Sequence, residues 1–304
     1  MLHRMRPAAA FALVSLLFLH FAPAQAPTNT ATNGAAERSE PATKRVHVIG
    51  ASVSGGFRDG PMFGAKTQGD SITLQQLLKK WAGEHAKVTT HPTLQMATLF
   101  QDPQGIGKDQ IERTQRIGPD VVVAVDFPFW FAYGYVDGDE AEARVALQRV
   151  CFDYLAQLEV PVIVGDLPDM RGAATRMLRP QQIPSPDVLR TLNANLRQFV
   201  DENEHVHLVE MAKLVRALKE DGAKLPLADG ELQTGPGALL QEDRLHATRL
   251  GMALLGFTLQ DELRARFPEG HPLREQRWSF EQFVAAAGAE GDLELVRSAV
   301  AAGK

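Results

Sequence analysis

Asp120-Val121-Val122-Val123-Ala124-Val125-Asp126 is the stretch that decides the fold. A strand with one wet face alternates apolar and polar side chains. This one is apolar on both faces, the pattern of a central parallel strand covered by helices above and below. Working outward, Val160 to Val164 repeats the pattern and runs into Gly165-Asp166-Leu167-Pro168-Asp169. Val46 to Ile49 is a short apolar strand, Ala86 to Thr90 a weaker one, and His205 to Val209 the last.

Helical patterns fill the intervals. Ser71 to His85 places Leu74, Leu77, Leu78 and Trp81 at helical spacing. Lys108 to Arg116 is a helix closed by Gly118-Pro119, and Asp139 to Leu158 is a longer one. Ser185-Pro186-Asp187 starts a helix to Glu202, with serine as N-cap and proline at the first helical position. Met211 to Glu220 and Thr248 to Arg266 complete the set. Each crossover is long enough for a helix, so the sheet is parallel. The expectation is an α/β, three-layer, flavodoxin-like parallel sheet of about five strands with helices on both faces. Ligands of such sheets bind beyond the carboxyl ends of the strands. Ser52, Asp126 and Asp166 each follow a strand and are expected on that one rim.

The chain has 304 residues, 44% hydrophobic and 23% charged, enough for one large domain or two small ones. Its formal net charge of −5, with lysine and arginine scattered among acids, argues against a nucleic-acid partner. At the N-terminus, Arg4 and Arg6 precede an apolar stretch from Ala8 to Ala22 and the small-x-small pattern Ala24-Gln25-Ala26. This reads as a signal peptide over 1–26 and predicts an exported protein, periplasmic or secreted, with no stable membrane span after cleavage. A polar, aperiodic linker over 27–44 follows. The main domain is expected over 45–267 and a helical extension over 268–304. Phe283 to Arg297 within that extension reads as a small-residue helix, a Gly-Asp turn and an amphipathic helix, a hairpin that resembles a single ankyrin repeat. One repeat cannot bury its own face. The hairpin either docks on the main domain or offers a protein contact.

Two short segments carry chemistry. Gly50-Ala51-Ser52-Val53-Ser54-Gly55-Gly56 sets a serine in a small-residue turn after the first strand, and Asp243-Arg244-Leu245-His246 sets a carboxylate three residues before an imidazole. A hydroxyl is a weak nucleophile until a base takes its proton, and that base works best when an acid orients it. Ser52 therefore reads as a nucleophile or as the N-cap of the first helix. His246 reads as its base or as a surface histidine. Asp243 reads as the orienting acid or as a cap. Asp126 reads as a cap, as the partner of an arginine such as Arg58, or as a hydrogen-bond acceptor for the Ser52 turn. Trp130 and Tyr133, in the aromatic run Phe127 to Tyr135, offer faces for a substrate pocket.

The remaining motifs are plainer. Asp166 and Asp169 read as turn residues. Cys151, the single cysteine, reads as a buried thiol on an amphipathic helix. His205 and His207 alternate on a strand without a ligand cluster around them, and the glycine-rich turn lacks the lysine of a phosphate loop. No metal or organic cofactor is expected.

The order Gly-x-Ser after strand one, then Asp-x-x-His before the last helix, resembles the SGNH/GDSL hydrolase superfamily of esterases and lipases. The layout matches from about Arg45 to Arg266. The resemblance implies Ser52 as nucleophile, His246 as base and Asp243 as its partner, with Gly251 fitting the usual continuation. It also implies oxyanion donors from the Ser52 N–H, from a glycine after strand two (Gly105 or Gly107) and from an asparagine after strand three. This chain has Ala51 where the family's name-giving aspartate stands, and no asparagine between Asp126 and Gly134. The expected function is hydrolysis of a carboxylic ester, such as a carbohydrate O-acetyl or short-acyl ester. The alternative is a catalytically degenerate binding or scaffold protein on the same fold.

Overall fold

A computed structural model describes residues 43–91 and 102–303. The expected signal peptide, and all of the linker but its last two residues, lie outside the described residues. So does the segment 92–101 that follows the second strand.

The main sheet has five parallel strands: β1 (Lys44–Val48), β2 (Ala86–Thr90), β3 (Val121–Ala124), β4 (Val162–Gly165) and β5 (Val206–Val209). Their spatial order is β2-β1-β3-β4-β5, the flavodoxin-like order. β1 starts at Lys44, one residue before the expected boundary. Lys44 pairs with Ala86 across the ladder and its Nζ lies 2.8 Å from Asp120 Oδ1, so it belongs to the sheet.

Helices cover both faces, as the apolar run of β3 requires. On one side Val46, Val48, Val121, Val123 and Val125 pack with α1 (Leu74–Ala82), α7 (Arg249–Ala265) and α9 (Phe280–Ala287). On the other, Ile49, Val122, Ala124, Val162 and Val164 meet α2 (Pro103–Ile117), α4 (Glu140–Leu155) and α5 (Pro186–Glu202). Cys151 is fully buried there, and burial pushes its thiol well up. α3 (Phe129–Ala132) and α6 (Met211–Arg216) follow β3 and β5, and α8 (Pro272–Glu275) and α10 (Glu290–Ala301) lie at the C-terminal end.

Phe280, Phe283 and Val284 are buried in the same core as α1 and α7, so the C-terminal helices are docked on the main domain rather than set apart. The turn between α9 and α10 is at Gly288, in the left-handed region at φ 67°, and Gly291-Asp292 sits inside the first turn of α10. β6 (Lys224–Leu227) and β7 (Gly230–Gln233) form an antiparallel hairpin between α6 and the turn that carries Asp243. No described helix is long and apolar enough to cross a membrane.

His47 on β1 is fully buried, with Nδ1 2.9 Å from Thr89 Oγ1 and no partner for Nε2 among the described residues. Burial, helped by the nearby His91 and Arg113, lowers its pKa to about 4. The unfolded chain protonates this histidine near 6.5, while the folded chain does not until about 4. The unfolded state therefore binds the extra proton in that window, and folding stability falls as pH drops through it, by about 3 kcal/mol in all. Urea unfolding at pH 7 and pH 4.5 should show a smaller acid loss in His47→Gln than in the unmodified protein. Equal losses would mean that His47 does not drive the acid sensitivity.

Candidate active site

β1 and β3 are neighbours whose connections leave in opposite directions, which opens a crevice beyond their carboxyl ends. Both ends carry chemistry. After β1 the chain does not enter a helix: α1 begins at Leu74, capped by Thr73, and residues 50–73 form a long excursion. Ser52 thus caps no helix.

Asp126, just beyond β3, holds the turn on which Ser52 sits. It is 7% exposed; its Oδ2 accepts from the N–H groups of Val53 and Ser54, both at 3.0 Å, and its Oδ1 from the Ser54 hydroxyl at 2.5 Å. The Ala51 N–H is a further donor to it. Burial pushes the Asp126 carboxyl up, and these hydrogen bonds pull against that rise. Arg58 goes elsewhere, to the Ser71 carbonyl and Asp70. Of the four amides from 51 to 54, that of Ser52 alone has no acceptor among the described residues. Its neighbours are spent on Asp126, while its own N–H is left unpaired among the described residues.

Gly50 makes the approach possible. Its φ is +129°, and a Cβ there would lie 2.1 Å from Asp126 Oδ1. Buried Gln110 pairs with both backbone groups of Gly50, at 2.9 and 2.8 Å.

The second half of the site is the Asp243–His246 turn. Asp243 is fully buried; its Oδ2 lies 2.7 Å from His246 Nδ1 and its Oδ1 accepts from the N–H groups of Leu245 and His246 at 2.9 and 3.0 Å. Burial alone would raise its pKa, but the hydrogen bond and charge of His246 outweigh that and hold it below the ordinary carboxylate range. Asp243 therefore caps its own turn and orients the imidazole at once. Thr248, not Asp243, caps α7. Arg244 adopts φ 55° in the middle of this turn, the one described non-glycine residue with positive φ, a conformation that costs energy and is retained where the surroundings impose it. With Nδ1 committed to Asp243, Nε2 is the nitrogen left to take a proton. It is buried and has no hydrogen-bond partner among the described residues.

The two halves are tied together by Phe57 and Gln241. The Phe57 N–H donates to the Ser52 carbonyl at 3.0 Å, and the Phe57 ring lies 4.3 Å from the His246 ring. Gln241 is buried; its Nε2 donates to the carbonyls of Phe57 and Ala247, and its Oε1 accepts from the Asp59 N–H. Its backbone N–H donates to the His246 carbonyl. Buried Asp59 in turn pairs with Arg176. The sequence pointed to none of these residues, because a polar side chain that staples two loops carries no local pattern.

No protein-family model matches the chain, and no curated protein matches it. Solved structures do. An acetyl xylan esterase is 17% identical with TM-score 0.44, over 72% of this chain and 99% of that one. The psychrotrophic esterase EstA from Pseudoalteromonas sp. is 11% identical with TM-score 0.42, over 73% and 97%. A gut microbial diltiazem-metabolizing enzyme is 11% identical with TM-score 0.42, and the chain spans about half of its length, 48%. At these identities the likeness concerns the chain trace and assigns no residue a role.

Three expectations need correction. Gly105 and Gly107 are not loop glycines: Asp102 caps α2 and Pro103 opens it. The Gly105 N–H is spent on Asp102 Oδ1 at 2.8 Å, and Gly107 faces Phe131 and Tyr154. Neither offers an oxyanion donor. Trp130 is buried in the core with Ile111 and Phe131, and Phe129 rather than Trp130 faces the cavity beside Ser52. Tyr133 offers no open face, being buried and stacked on Phe129 at 4.0 Å. Asp166 is more than a turn residue: it accepts from the Ala212 N–H and pairs with Arg197 at 2.9 Å. Among the described residues no group of three or more His, Cys, Asp or Glu side chains is placed to hold a metal ion.

Proposed function

We propose that this protein is an exported serine hydrolase that cleaves a carboxylic ester, with a carbohydrate O-acetyl or other short-acyl ester as substrate. Ser52 Oγ attacks the acyl carbonyl as His246 Nε2 takes its proton; the alcohol then leaves with that proton, and water releases the acid by the reverse exchange. Asp243 holds the imidazole in the tautomer with Nδ1 protonated and stabilises the imidazolium. The Ser52 N–H is directed to the developing oxyanion. The observation that carries this reading is the buried Asp243–His246 pair, with Nε2 unpartnered, on the loop that Phe57 and Gln241 bind to the Ser52 turn. Export rests on the N-terminal pattern of Arg4, Arg6 and Ala24-Gln25-Ala26.

A second reading is a degenerate binding protein. It draws support from the donor set: no asparagine lies between Asp126 and Gly134, and the N–H of Gly105 is occupied. Losing one oxyanion donor costs about 2.7–4 kcal/mol of transition-state stabilisation.

Hydrolysis of p-nitrophenyl acetate and butyrate by the protein, beside Ser52→Ala, decides between them. Hydrolysis that disappears in Ser52→Ala, with fluorophosphonate labelling lost in Ser52→Ala and His246→Ala, is the expected result. Labelling that survives both substitutions would remove the triad.

A further inference from the structure

A small cavity of about 50 Å³ opens beside Ser52. Apart from Ser52 and two carboxylates its wall is apolar: Val125, Phe129, Leu167, Met170, Met211 and Val215 are its main lining. Gly165 forms part of the wall because Met211 lies over it; a Cβ at Gly165 would come within 2.4 Å of Met211 Cγ.

The far wall is braced rather than soft. Leu167 exchanges two hydrogen bonds with the Asn193 amide, at 2.7 and 2.9 Å. The Tyr133 hydroxyl donates to the Pro168 carbonyl and accepts from the Met170 N–H. Buried Lys219 donates to the carbonyls of Asp169 and Arg171, both at 2.7 Å. Phe129, which also lines the cavity, is stacked on Tyr133. A segment pinned at Leu167, Pro168, Met170 and Arg171 does not swing out to admit a longer chain.

Resting on the hydrolase reading above, we infer that this cavity receives the acyl group, and that Met170, Met211 and Val215 limit it to an uncharged acyl of two to four carbons. A water-sized group occupies about 10–15 Å³ of such a volume, so the space holds the alkyl part of an acetyl, propionyl or butyryl group. The seven alkyl carbons of an octanoyl group exceed it. Asp126 and Asp166 in the wall disfavour an acyl group that carries its own carboxylate.

The test is kcat/KM for p-nitrophenyl acetate, butyrate and octanoate, measured on the full chain, Met211→Ala, Met170→Ala and Val215→Phe. The unmodified protein should prefer butyrate to octanoate by at least about tenfold. Either alanine variant should raise the octanoate-to-butyrate ratio about tenfold, so one of them failing to fold leaves the other. Val215→Phe, at a half-buried position, should move the other way and lower butyrate relative to acetate. Octanoate hydrolysed as fast as butyrate, in a reaction still abolished by Ser52→Ala, would overturn the cavity assignment and leave the hydrolase reading standing. Ratios unmoved by all three variants would do the same. No Ser52-dependent hydrolysis of any of the three esters would remove the hydrolase reading, and this inference with it.

Discussion

Replacing Asp243 by asparagine should lower kcat on an activated ester by about 10⁴-fold, the scale seen when the orienting carboxylate of a serine hydrolase becomes an amide. The geometry dictates why. Asp243 uses Oδ1 for the N–H groups of Leu245 and His246 and Oδ2 for the imidazole Nδ1. An asparagine can keep its oxygen on the two backbone amides, which preserves the turn and the fold. Its NH₂ then faces Nδ1 and donates to it, so the ring proton moves to Nε2 and the base has nothing to accept with. The pKa of Asp243 is already held below the ordinary carboxylate range by His246, so in the unmodified protein this group stays ionised through that range and its contribution is lost only as pH falls below it. The measurement is kcat for the variant with its melting temperature as a control. A fall of less than tenfold in a folded variant would reduce Asp243 to a capping residue.

The parts of this molecule that were legible in its sequence are those governed by short-range pattern. The valine run of β3 could only be a covered parallel strand, and with β1, β4 and β5 it fixed the layers and the rim. Asp243 and His246 are three residues apart, so their contact follows from one turn of backbone. What escaped has two physical origins. Some signals were present and outweighed: Asp102-Pro103 is an N-cap followed by a first-turn proline, yet Gly105 and Gly107 drew the reading toward a loop. Asp229-Gly230 between Leu225, Leu227 and Leu232 is likewise a hairpin signal. Others left no local trace. Gln241 reaches Phe57 and Asp59 across more than 180 positions of chain, and nothing in Leu240-Gln241-Glu242 announces it. The excursion over 50–73 has no periodicity because Asp126, Gln241 and Asp59, rather than an apolar face, hold it in place.

Asp126 is where that tertiary control is most concentrated, and Asp126→Asn should damage both stability and catalysis. The carboxylate is acceptor-only, and it meets donors only: the N–H groups of Val53 and Ser54 and the Ser54 hydroxyl, with the Ala51 N–H besides. An amide of the same size turns one acceptor into a donor. If its NH₂ takes the place of Oδ2, two buried N–H groups face a third donor. If it takes the place of Oδ1, the Ser54 hydroxyl must reverse. A buried donor left without an acceptor costs about 1–3 kcal/mol, so a loss of about 3 kcal/mol, or roughly 6–12 °C in melting temperature for a domain of this size, is expected. The catalytic effect has a separate cause. Asp126 takes the amides on either side of Ser52, and in the proposed hydrolase the Ser52 N–H is the one left for the oxyanion. Once the turn relaxes, that N–H and the Ser52 hydroxyl lose their common aim, and removing one such donor costs on the order of 10²–10³ in kcat. Measured well below its melting temperature, the variant should therefore lose kcat far more than it changes KM. A purely structural role for Asp126 would instead give a variant with a lowered melting temperature and an unchanged kcat.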